Sequence, residues 1–281
     1  MDILKLDPFP SIAASSPFSL STREIAGRTV YAVFFELGGT FTKAQITSLR
    51  IRAGQKDVLP KIDGDQLQTI NDYQGLTADA NYLFHWFCDP LATSVRGEWL
   101  GGLDLSIYGS DPLEIRGDVG AATAPTLQAW AIVGPPKTAL GYAFSDAEAH
   151  WSRVLVPTVL QPAASVTRQS ASIGLGSQAG GRIRQISFLH SNLTSVEFRK
   201  NANILWEDLP VALVNAVENS FARSNQTGLY VVDRIVNGAQ GEAETTLQPD
   251  GTPWPMQVLI STSASDTINV YADLHAPLAL I

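Results

Sequence analysis

The chain is short of the residues that staple small proteins or equip them for catalysis: among 281 residues there is one cysteine, Cys88, four histidines and a charged fraction of only 16%. A single thiol excludes an intramolecular disulfide and a thiolate metal cage, so packing has to hold the fold together. The histidines, His85, His150, His190 and His275, show neither His-x-His nor His-Glu-x-x-His spacing, which leaves a cupin or metalloprotease site without local support. No apolar run approaches the roughly 20 residues that span a bilayer, and the opening Met1-Asp2-Ile3-Leu4-Lys5-Leu6-Asp7-Pro8 lacks the pattern of a secretion signal. Positive charge is short as well. The 19 Lys and Arg against 27 Asp and Glu give a net −8, which argues against direct, sequence-specific nucleic-acid binding.

What is plentiful is apolar surface, at 45% of residues, enough for a sizeable core and too much for disorder. Period-two and β-branched or aromatic clusters run along the chain: 29–35, 49–52, 82–87, 103–108 and 127–133, then 154–160, 183–189, 196–199, 229–232, 258–260 and 268–271. Short strands divided by Gly, Pro, Asn and Asp turns predict an all-β sandwich architecture. Two segments break the pattern. After Asp208, an expected N-cap, Leu209, Leu213, Val217 and Phe221 recur every four residues as the apolar stripe of a helix. A shorter helix is expected over 65–73, with Leu67 and Ile70 inward.

The most informative feature is an internal repeat. Ile46-Thr47-Ser48-Leu49-Arg50-Ile51-Arg52 matches Leu193-Thr194-Ser195-Val196-Glu197-Phe198-Arg199 at a spacing of 147 residues, and Tyr82-Leu83-Phe84-His85 matches Leu229-Tyr230-Val231-Val232 at the same spacing, each with a helix candidate between. Charge repeats too: residues 1–61 sum to +3 and 62–148 to −9, while 149–200 sum to +5 and 201–281 to −7. These observations predict two similar β-domains, 1–148 (including a linker over about 134–148) and 149–281. They also predict that the basic start of one lobe meets the acidic end of the next.

Chemistry-bearing patterns are sparse. Cys88, between Phe87 and Asp89 at a strand end, reads as a buried thiol rather than a nucleophile. Gly174-Leu175-Gly176-Ser177-Gln178-Ala179-Gly180-Gly181 resembles a phosphate loop, but a strand follows it where a helix is required. Asp63-Gly64-Asp65 offers oxygen ligands of the kind calcium prefers, though a turn with a helix cap explains it as well. Asp104, Asp111, Glu114 and Asp118 could supply a glycosidase carboxylate pair. Asn192 and Asn225 sit in glycosylation sequons that an unsecreted chain would leave unused. Arg182 with Arg184 and Arg199 with Lys200 could touch phosphates or lipid head groups; a solvated or subunit-facing surface is the plainer expectation. No catalytic, cofactor-binding or metal-binding residue is assigned, and no enzymatic activity is expected.

A family resemblance then becomes specific. The opening Phe9-Pro10-Ser11-Ile12-Ala13-Ala14-Ser15, the segment 46–51, and the stretch from Gly181-Arg182-Ile183 through Val196-Glu197-Phe198 to Trp206-Glu207-Asp208-Leu209 resemble the major capsid protein of corticoviruses, the membrane-containing icosahedral bacteriophages. The resemblance implies a double jelly roll, two tandem eight-stranded sandwiches each with a short inserted helix, an architecture shared with tectivirus and adenovirus coats. It implies a homotrimeric, pseudo-hexagonal capsomer that tiles an icosahedral shell in the virion, assembled in the host cytoplasm. The implied partners are further copies of itself, neighbouring capsomers, vertex or membrane-associated proteins and an internal lipid membrane. It implies no cofactor beyond structural calcium, whose ligands it does not assign. Two alternatives stand beside it: a carbohydrate-binding or carbohydrate-active β-sandwich with Trp99 or Trp254 as an exposed sugar platform, and a vertex or spike protein, which would need only one jelly roll.

Overall fold

The computed structural model describes residues 1–76, 79–108, 112–139, 144, 146–175 and 180–277. The first lobe contains β1 (Asp2–Lys5), β2 (Pro17–Thr22), β3 (Thr29–Gly38), β4 (Ile46–Ala53), β5 (Lys56–Ile62), α1 (Gly64–Tyr73), β6 (Tyr82–Trp86), α2 (Val95–Leu100), the two-residue β7 (Leu103–Asp104), β8 (Leu113–Val119) and β9 (Thr126–Gly134). After the short α3 (Asp146–Ala149) come β10 (Trp151–Leu160), β11 (Val166–Ala171), β12 (Arg182–Leu189), β13 (Leu193–Lys200), β14 (Asn203–Pro210), α4 (Val211–Ser220), β15 (Leu229–Asp233), the two-residue β16 (Glu244–Thr245), β17 (Met256–Thr262) and β18 (Ile268–Pro277).

Each lobe is a sandwich of two antiparallel sheets, and the strand orders are the same. One sheet runs β1-β9-β3-β6 in the first lobe and β10-β18-β12-β15 in the second; the other runs β2-β8-β4-β5 and β11-β17-β13-β14. Even the two-residue strands correspond, β7 pairing with β3 as β16 pairs with β12. This interleaving of strands distant in sequence is jelly-roll topology.

The repeat extends to register. Leu49 lies opposite Ile62 and Ile51 opposite Leu59 in the first lobe; Val196 lies opposite Leu209 and Phe198 opposite Trp206 in the second, every position advanced by 147 residues. The hairpin turns match as well. Gly54 has φ +59° and Asn201, its counterpart, +56°, a conformation open to glycine and to the locally hydrogen-bonding Asn. The same irregularity interrupts the pairing at Tyr31 in β3 and at Arg184 in β12, re-aiming that side chain as bulges do.

Alternation places the cores. In β8, Leu113, Ile115 and Val119 point inward while Glu114, Arg116 and Asp118 face out. Leu49, Ile51, Val33, Phe35 and Ala131 fill the first sandwich, and Ile186, Phe188, Val196, Phe198 and Val270 the second. Each of these Val, Leu, Ile and Phe side chains, fully removed from water, contributes roughly 1.5–3 kcal/mol.

Several expectations are corrected. The helix after Asp208 begins two residues later, with Pro210 as its N-cap, because Asp208 still belongs to β14, where its carboxylate accepts a bond from the Ser195 hydroxyl. Its stripe is not inward: Leu213, Val217 and Phe221 are 42–47% exposed, and the buried positions are Val214 and Glu218. Strand 103–108 stops at Asp104, whose carboxylate takes the Ser106 N–H at 2.9 Å and turns the chain. Helix α1, by contrast, buries Leu67 and Ile70 as its spacing predicts.

Candidate functional site

A built contact face lies between the lobes. Helix α1 and the segment after β6 lie against the outer face of the sheet β10-β18-β12-β15. Strands there carry charged residues within apolar runs, because both faces of the sheet are covered. Arg184 donates to Asp89 at 2.6 Å, to Asp273 at 2.8 Å and to Gln240 at 3.0 Å. Arg153 meets the same Asp273 at 2.8 Å and donates to the Trp86 carbonyl at 2.7 Å. Asp89 and the Trp86 carbonyl belong to the first lobe, so two guanidiniums of the second lobe clasp it. Burial would raise the Asp89 carboxyl, but Arg184 and Arg153 outweigh it and hold it below its ordinary value.

A second cluster lies beside the first. The Tyr73 hydroxyl, at the end of α1, donates to Glu218 of α4 at 2.8 Å and stands 3.1 Å from Asp233 of β15. Gln74 donates to Gln185 at 2.6 Å, Gln185 to Asp233 at 2.9 Å, and Arg223 lies 3.1 Å from Asp233. Burial pushes Glu218 up to about 8 and raises Asp233 despite its cation. At the far end of α1, Tyr271 donates to Gln66 at 2.7 Å. Gln66 and Tyr73 of α1, and Gln74 that caps it, thus all bond to the second lobe.

The equivalent elements are arranged differently. Helix α4 exposes Leu213, Val217 and Phe221. On the outer face of the sheet β1-β9-β3-β6, Phe34, Phe84, Trp86 and Trp130 form a half-buried aromatic ladder, with Phe34 5.5 Å from Phe84 and 6.2 Å from Trp130 between ring centroids.

The candidate site residues fall apart. Asp104 is fully buried and accepts the Lys137 N–H at 2.8 Å; Glu114 pairs with Arg116 at 2.9 Å; Asp118 takes the Ser48 hydroxyl; Asp111 lies outside the described residues, as do 176–179 of the glycine-rich loop. Asp63 accepts the Ser48 N–H at 3.1 Å at the head of α1, and Asp65 faces solvent. Among the described residues no group of three or more His, Cys, Asp or Glu side chains is placed to hold a metal ion. Cys88 is buried and burial drives its thiol upward. His85 and His275, wholly buried, are pushed far below the usual imidazole range, first by burial and then by neighbouring guanidiniums; His190 is lowered by burial, and His150 is exposed.

The surface expectations change in part. Arg184 is no surface residue but one of the most buried side chains, and Arg182 lies over the Trp151 ring at 5.3 Å. Arg199 and Lys200 pair with Glu197 and Glu244. Trp99 packs on Tyr31 at 4.3 Å and Trp254 lies beneath Lys200 at 4.7 Å, so each ring has one neighbour on it and both are half-buried. Part of the charge is paired inside a lobe, because jelly-roll topology makes β8 the neighbour of β4: Arg52 reaches both Asp57 and Glu114. Arg184 with Asp89 joins the basic start of the second lobe to the acidic end of the first.

Comparison with known proteins places this architecture. Residues 3–134 match the family model for the viral coat protein P2 N-terminal domain, and residues 157–278 that for its C-terminal domain. No curated protein sequence matches the chain. Among solved structures, the major capsid protein P2 of bacteriophage PM2 superposes with a TM-score of 0.81 at 16% identity, covering 98% of this chain and 97% of that one. The Sulfolobus turreted icosahedral virus structure gives 0.69 at 9% identity over 99% of this chain and 91% of the other. The PBCV-1 virus capsid gives 0.56 at 10% identity over 98% and 94%.

Proposed function

The chain belongs to the viral coat protein P2 family, and from that membership we propose that three copies close into a six-lobed capsomer that tiles an icosahedral phage shell over an internal membrane. The observation that carries this reading is the pair of lobes with one topology and one register, joined by the Arg153, Arg184, Asp89 and Asp273 cluster. Two like lobes present near-sixfold edges when three chains surround a threefold axis, and closed cyclic symmetry satisfies every interface. Its partners are copies of itself, neighbouring capsomers, and vertex or membrane-associated proteins, and the reading requires neither a cofactor nor nucleic-acid recognition.

Analytical ultracentrifugation tests it. A trimer that persists on dilution to micromolar concentration is expected, with added salt loosening contacts between trimers before those within them. A stable monomer at that concentration removes the capsomer reading.

A further inference from the structure

We propose that α4 of one copy docks on the aromatic outer face of the first-lobe sheet of the next copy, repeating between chains the contact that α1 makes within one. This inference rests on the capsomer reading and names its subunit interface.

The argument is one of equivalence. The shared spacing of 147 residues sets Leu213 and Ser220 of α4 and its cap Phe221 at the positions of Gln66 and Tyr73 of α1 and its cap Gln74. Those last three residues are the ones that bond to the second lobe. Their partners there are Tyr271, Asp233 and Gln185. Matching strand pairing places Trp130 where Tyr271 stands, since Trp130 faces Phe34 as Tyr271 faces Ser187. Trp86 stands likewise for Asp233, and Ala32 for Gln185, paired in the two lobes alike.

The substitutions are concerted. Within one chain the bonded residues are polar, amides, a phenol and a carboxylate, beside the apolar Leu229 and Val231. At the equivalent positions Leu213 and Phe221 replace Gln66 and Gln74 on the helix side, and Trp86 and Trp130 replace Asp233 and Tyr271 on the sheet, while Ser220 replaces Tyr73. Leu213 and Phe221 are each 47% exposed, and Val217 is 42% exposed although its counterpart Ile70 is buried at 3%. A helix face left open in water while its duplicate is covered fits a covering partner, and the duplicate shows which surface covers it. Aromatic residues such as Phe221, Trp86 and Trp130 are the kind enriched in the buried cores of subunit contacts. Carried around a threefold axis, the contact recurs identically three times and closes.

The test uses the full chain. Leu213→Cys with Trp130→Cys, treated with a short bismaleimide, is expected to link chains into covalent dimers and a closed trimer under denaturing electrophoresis, whereas Gln66→Cys with Tyr271→Cys links within one chain. Cys88 stays silent because it is buried. Independently, Leu213→Ser with Phe221→Ser alters only exposed positions, so circular dichroism should be unchanged while the trimer dissociation constant rises about tenfold or more. A trimer of wild-type strength in that variant, together with no cross-link between chains, overturns this interface and leaves the capsomer standing. A wild-type chain that sediments as a monomer overturns the capsomer reading, and this interface with it.

Discussion

Arg184 and Asp89 meet at 2.6 Å in the interior although one belongs to the second lobe and the other to the first. The carboxylate of Asp273 binds the same guanidinium and that of Arg153, so it bridges two buried cations and the cluster holds two acids against two guanidiniums. Such a cluster costs desolvation and contributes little net stability as a whole, but it is intolerant of losing a single member.

Asp273→Asn is therefore expected to lower stability by about 3–5 kcal/mol, read by chemical denaturation. Because the cluster clasps the lobes, the variant should also unfold in two steps where the parent chain unfolds in one.

The Glu218 carboxyl sets a pH dependence. Its value rises from an ordinary 4.5 to about 8 in the folded chain, so across that window the folded protein keeps a proton that the unfolded chain releases. Stability is then greatest near the acid end and falls as pH rises, by at most about 1.4 kcal/mol per pH unit for one group. Asp233, also raised, acts in the same direction. Glu218→Gln keeps an acceptor for Tyr73 and removes the ionisable group, so the change in melting temperature between pH 5 and pH 8 should shrink. An unaltered slope would count against this assignment.

Two helix ends offer a paired test. Gly75 follows α1 at φ +73° and Ala222 follows α4 at φ +58°, the same position of the repeat. Left-handed backbone costs a residue with a Cβ roughly 1–2 kcal/mol, partly offset by glycine's greater freedom when unfolded. Ala222→Gly should gain about 0.5 kcal/mol and Gly75→Ala lose a similar amount, measured as shifts in denaturation midpoint.

Leu49 and Phe198 occupy the two sandwich cores with no exposed surface. Leu49→Ala should cost about 2–5 kcal/mol and Phe198→Ala about 3–5 kcal/mol, with yield of assembled particles falling alongside. A change below about 1 kcal/mol at either site would contradict the packing described.

The sequence by itself determined the class of the fold and its duplication. Alternation of apolar residues follows from a side-chain period of two, and it marked β3, β4, β9, β12 and β18 directly. The equal spacing of 46–52 with 193–199 and of 82–85 with 229–232 needs no coordinates, and the structure returns it as identical register. Strands β2 and β11 escaped notice because Ser and Thr fill much of them, and a Pro at the first residue of β2 reads as a break.

Only the tertiary structure decided the faces. The four-residue recurrence of Leu213, Val217 and Phe221 reports that they share a side of α4, but not whether that side meets its own core. Burial of Val214 and Glu218 instead follows from where the helix axis lies over the sheet. Arg184 could not be assigned from alternation, since the irregularity in β12 turns it out of phase. Its partners Asp89 and Asp273 stand 95 and 89 residues away, and no local pattern links charges that only chain folding brings within bonding distance.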